Sequence, residues 1–126
     1  MTAKFVLAAL ASTILVPSVP MAQTSSPAPA SELTLEQQTG LRCAAAFAIV
    51  AQGQGIGNAD ALTYPPLAER GREFFVRYSA QMIDQTDLTR EQIASLLRDE
   101  AQNLWDRQEI EPIMPACLTL LEASGL

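Results

Sequence analysis

Two cysteines, Cys43 and Cys117, are the only thiols in the chain, and they lie far apart in a sequence that begins like an exported protein. No other feature constrains the fold as much. The opening residues MTAKFVLAALASTILVPSVPMAQTSS carry one positive charge at Lys4, an apolar run from Phe5 to Val16 and small residues around Ala22. This layout predicts a secretory signal peptide over residues 1–22, cut between Ala22 and Gln23. Its apolar run is about 12 residues, short of the roughly 20 that cross a bilayer. Export delivers both thiols to an oxidising compartment, where one intramolecular disulfide is the default outcome. Closing a loop of about 75 residues removes roughly 4.5 kcal/mol of unfolded-chain entropy on the loop-closure model. That is a large share of the stability of a small domain. The competing reading, a redox-active or metal-binding pair, lacks both a C-x-x-C spacing and a histidine partner.

Residues 23–33, QTSSPAPASEL, hold too little large apolar surface to offset the cost of ordering and are expected to form a flexible leader. One helical domain, residues 34–126, comes after it. Thr34 with Gln37 forms a capping-box signature, which opens a helix from Leu35 to about Gln52. Gly53, Gly55, Gly57 and Asn58 are expected to end it. Tyr64, preceding a proline, is pushed to extended geometry, and Pro65 and Pro66 suit the first turn of a second helix. Leu67, Gly71, Phe74, Phe75, Tyr78 and Met82 then form its apolar stripe. A second capping box, Thr89 with Gln92, starts a third helix with Ile93, Leu96, Leu97, Leu104 and Trp105 facing inward. Pro112 and Pro115 are expected to break or kink the chain beyond this third helix, ahead of a short last helix carrying Cys117. The predicted fold is thus all-α, a small four-helix bundle-like domain with one disulfide. Gly71 inside an apolar stripe costs about 1 kcal/mol relative to Ala, which predicts a close crossing of the Ala-rich first helix at that point.

Few chemistries are compatible with this inventory. Beyond the signal there is no Lys and no His, so histidine-based triads and lysine Schiff bases lack their base. The cluster GQGIG resembles a phosphate loop only in composition, because a helix precedes it where a dinucleotide fingerprint needs a strand. The carboxylates Asp84 with Asp87, Asp99 with Glu100, and Glu109 with Glu111 lie among polar neighbours, where a solvated face is the ordinary outcome. An enzyme built on such a pair would require a buried Asp or Glu with a perturbed pKa. DQTDLT lacks the ligands and glycine of a calcium loop. In ERGREFFVR, Arg70 and Arg77 stand seven apart on one helical face and are the candidate contact for an anion or an acidic partner. Glu73 lies between them and suits a four-residue pair with Arg77. The aromatics Phe47, Tyr64, Phe74, Phe75, Tyr78 and Trp105 are expected mostly to fill the core.

The segments RCAAAFAIV, YPPLAERGREFF, LTREQIASLLRDEAQ and IMPACLTLLEASG, with the signal peptide, resemble small uncharacterised exported two-cysteine helical proteins of alphaproteobacteria. In size, export and cysteine count the chain is also similar to periplasmic acid-stress chaperones of the HdeA type and to small periplasmic immunity proteins. This resemblance implies export and a two-cysteine helical domain and adds no activity. The formal net charge is −6, one unit more negative once Lys4 is lost, which repels nucleic acid and anionic lipid. The expected protein is periplasmic or secreted, makes no stable membrane insertion after signal cleavage, and needs no cofactor or metal. It is expected to bind a protein partner as chaperone, inhibitor or accessory factor, without catalysis. The alternative is a carrier of a small apolar ligand or lipid.

Overall fold

The computed structural model describes residues 32–126, all-helical apart from turns and connections. The predicted signal peptide, and all of the leader except Glu32 and Leu33, lie outside the described residues. The elements are α1 (Leu35–Gly55), a single 3₁₀ turn (Ala61–Thr63), α2 (Arg70–Gln85), α3 (Arg90–Asp106) and α4 (Ile110–Ala123).

Local chemistry sets where α1 and α3 begin. The Thr34 hydroxyl accepts from the Gln37 N–H at 3.2 Å, and the Gln37 side chain accepts from the Thr34 N–H at 2.9 Å. Thr89 and Gln92 repeat the arrangement at 3.2 and 2.8 Å. Each box satisfies two backbone donors that the first turn would otherwise leave orphaned. The core takes in Leu33, one residue ahead of the predicted start of the domain.

α1 is the central element. Cys43, Ala44, Ala45, Ala46 and Phe47 are all buried in succession, which a one-sided amphipathic helix cannot achieve. α2, α3 and α4 all pack against α1, and its alanines present little bulk between the backbones. Gly71 of α2 lies at such a contact: a Cβ there would stand 3.2 Å from Phe47 Cβ and 3.3 Å from Leu67 Cβ. The crossing predicted from Gly71 is therefore present. Above it Phe47 meets Phe74 edge-on with centroids 5.2 Å apart, and Phe74 stacks parallel to Tyr78. A second close approach has no counterpart among the sequence expectations. A Cβ at Gly40 would fall 2.2 Å from the Tyr78 ring, which lies against α1 and donates its hydroxyl proton to the Gln37 carbonyl.

Three sequence expectations are corrected. α1 continues to Gly55, and Gly57, at φ 77°, provides the left-handed turn that ends it. Pro65 and Pro66 do not start α2. Tyr64 is extended as expected (φ −90°, ψ 157°), but the chain stays non-helical until Arg70 while buried Leu67 anchors the connection. α4 begins at Ile110, ahead of both prolines. Pro112 falls in the first turn, where no N–H is required, and Pro115 forfeits one hydrogen bond on a solvent-facing side of the helix.

Candidate functional site

Cys43 on α1 and Cys117 on α4 form a disulfide with Cα atoms 5.2 Å apart, and both residues are buried. The bond joins the central helix to the last one and leaves no free cysteine among the described residues. A disulfide of this kind is compatible with an oxidising compartment.

The residue before Cys43 organises the main charged cluster. Arg42 pairs with Glu109, in the α3–α4 connection, and its Nη1 stands 3.5 Å from Oε1 of Glu100 on α3. The sequence pairs Glu100 with Asp99 and Glu109 with Glu111, whereas the fold joins Glu100 and Glu109 through one guanidinium. Glu100 Oε1 is closed to solvent and accepts no hydrogen bond. Burial raises the Glu100 pKa. Arg42 opposes that rise, Glu109 adds to it, and Arg107 again opposes it. Glu100 is thus a partly buried carboxylate with a raised pKa, its Oε1 shielded while its side chain keeps 20 % of its surface exposed. No signal in the local sequence pairs these groups, since the contact of Arg42 with Glu109 spans 67 positions.

Arg70 and Arg77 are placed with different partners. Arg70 donates from Nε to the backbone oxygen of Leu126 at 2.8 Å and pairs with Glu122 at 2.8 Å. It thereby ties the start of α2 to the end of α4. Arg77 pairs with Glu73 at 2.7 Å, the four-residue helix pair expected from the sequence. Both guanidiniums already have carboxylate partners.

The aromatic residues divide. Phe47, Phe74 and Tyr78 are buried, Tyr64 and Phe75 are partly buried, and Trp105 is 66 % exposed, correcting the inward placement predicted for it. Trp105 comes directly after Leu104, which is fully buried, and a step of one residue turns a helix by about 100°. The glycine-rich stretch acquires a clear role. Gln54 Nε2 shares its two hydrogens among the carbonyls of Ala61 (3.1 Å), Tyr64 (3.2 Å) and Pro65 (2.9 Å), while its Oε1 accepts from the Leu67 N–H at 3.0 Å. Asn58 Oδ1 accepts from the Ala61 N–H at 2.9 Å. The polar groups of GQGIGN thus fasten the α1–α2 loop to itself.

Among the described residues no group of three or more Cys, Asp or Glu is placed to hold a metal ion, and no helix is long and apolar enough to cross a membrane. The fold and its covalent tie define an all-α, disulfide-stapled four-helix domain centred on α1. No family model, curated protein or solved structure matches the chain.

Proposed function

We propose that this is a periplasmic or secreted protein that acts by binding a protein partner, as chaperone, inhibitor or accessory factor, and carries out no catalysis. One observation supports this most directly: large apolar side chains stay on the surface of a domain whose core is complete without them. Leu35, Ile56, Leu62, Val76 and Trp105 are each more than half exposed. Tryptophan is among the residue types enriched at the energetic centres of protein interfaces, and Trp105 is exposed. The disulfide suits a chain that must keep its shape in an oxidising compartment, and the export signal read from residues 1–22 agrees with it.

The experiment is affinity isolation of the tagged, oxidised protein from a periplasmic extract of the cells that produce it. A specific protein recovered in comparable amount, and lost when the bait is reduced and unfolded, is expected. Repeated isolation of no specific protein refutes the reading.

A further inference from the structure

α2 turns Gly71, Phe74, Tyr78 and Met82 into the core. On its opposite side Val76, Ala80 and Ile83 are exposed, Val76 to 59 % and Ile83 to 38 %. Steps of four and then three residues put them on one continuous stripe, with successive Cβ atoms about 5–6 Å apart.

The charges around this stripe are arranged about its midpoint. Counted outward from between Ser79 and Ala80, Val76 matches Ile83, Arg72 matches Asp87, and Glu69 matches Arg90. Glu69 and Arg72 lie at the start of α2, whereas Asp87 and Arg90 follow its end, and all four are exposed. None of the four makes an ion pair among the described residues. Glu73 is already held by Arg77, and the exposed Asp84 adds a second carboxylate at the Asp87 end.

A two-fold contact sets residue i of one copy against residue j of the other, and j against i. Two α2 helices in antiparallel orientation therefore lay Val76 on Ile83 of the second copy and bring Arg72 to its carboxylates and Glu69 to its arginine. The small Ser79 and Ala80 meet at the crossing. A parallel pairing would set Arg72 against Arg72 and Asp87 against Asp87. The antiparallel one also places the positive N-terminus of each α2 beside the negative C-terminus of the other. The chain's net charge of −6 opposes self-contact in general. One helix face is also small beside a standard interface, so the contact is weak and depends on this local match.

We infer that the outward face of α2 is a self-recognition surface, on which a second copy of this chain docks antiparallel through Val76 and Ile83, with Arg72 meeting Asp87. The contact is separate from the partner-binding reading, and each stands or falls without the other.

Sedimentation velocity of the oxidised protein over a concentration series tests it. A monomer–dimer equilibrium with a Kd on the order of 100 µM is expected for so small an interface. Val76→Asp should abolish the dimer. Arg72→Asp should weaken it at least about tenfold, because like charges then face each other. Adding Asp87→Arg to Arg72→Asp should restore the parent affinity. All three positions are exposed, so each variant should melt with the parent, which circular dichroism checks. A chain that stays monomeric up to about 1 mM overturns the proposal. If Val76→Asp then also fails to capture a protein that the parent captures from extract, the face belongs to that other protein. A dimer indifferent to Val76→Asp lies on another face, and a double variant no tighter than Arg72→Asp alone refutes the antiparallel register.

Discussion

Replacing Gly40 by alanine inverts an ordinary expectation. In a helix interior Gly→Ala stabilises by about 1 kcal/mol through propensity alone. At Gly40 the added Cβ would stand 2.2 Å from Tyr78 Cε2 and 2.7 Å from Cδ2, closer than non-bonded carbons can approach. The ring has little freedom to withdraw. It is buried, stacked on Phe74, and tied by its hydroxyl to the Gln37 carbonyl. Overpacking of this kind costs about 1–3 kcal/mol, and losing the tyrosine hydrogen bond adds about 0.5–1.5 kcal/mol. Set against the propensity gain, the net destabilisation is about 2 kcal/mol. For a domain of this size each kcal/mol moves the melting temperature by about 4–8 °C, so Gly40→Ala should melt roughly 10 °C below the parent. Thermal and urea unfolding of the oxidised protein measure this. In a Tyr78→Ala background the ring is gone, and Gly40→Ala should then be neutral or stabilising. A Gly40→Ala protein at least as stable as the parent, with Tyr78 present, would refute the close approach of α2 to α1.

Other outcomes rest on the same packing. Gly71→Leu should lower the melting temperature, since Phe47 and Leu67 already bound the space at 3.2 and 3.3 Å; an unchanged melt would remove that contact. Reducing Cys43–Cys117 frees a closed segment of sequence separation 74. The loop-closure model puts the loss at about 4.5 kcal/mol, and melting with and without reductant, at equal pH, reads it. Glu100 has a folded pKa above its ordinary 4.5 because of burial. The folded state therefore holds that proton more tightly than the unfolded chain, and this group's contribution to stability rises as pH falls through the folded pKa toward 4.5. Glu100→Gln should accordingly compare best with the parent near neutral pH and lose ground on mild acidification; a pH-independent difference between the two melts contradicts it. Gln108 closes α3 at φ 54°, the position that Gly57 and Gly125 occupy after α1 and α4. Gln108→Gly should stabilise by about 0.5–1 kcal/mol in urea titration, and a loss of stability would show that the left-handed turn is not strained.

Legibility in the sequence tracks the range of the interactions. Thr34 with Gln37 and Thr89 with Gln92 act across three residues, so the two capping boxes can be recognised from spacing alone. Gly71 is informative because a glycine within an apolar helical stripe requires a packing reason. Trp105 misleads because it adjoins Leu104 in an apolar patch, and only the orientation of α3 decides which of two neighbours turns inward. The Arg42–Glu109 contact spans 67 positions and the Tyr78–Gln37 contact 41. No periodicity or local motif encodes partners so far apart. Arg70 and Arg77 share a helical face, as expected, yet one bonds to the end of α4 and the other to its own helix.

The sequence by itself determined that the described part of this protein is helical, where α1 and α3 start, and that two cysteines would be available to each other. These come from caps, apolar period and thiol inventory, each a local or compositional property. Tertiary structure alone decided that α1 is surrounded by the other three helices, that Gly40 makes room for Tyr78, and that Glu100 and Glu109 share Arg42. It also decided that GQGIGN fastens a loop which holds Ile56 and Leu62 in solvent. Those arrangements depend on how helices cross, and crossing is fixed by side-chain volumes meeting over long sequence separations, where one missing Cβ or one fully buried leucine sets which face turns inward.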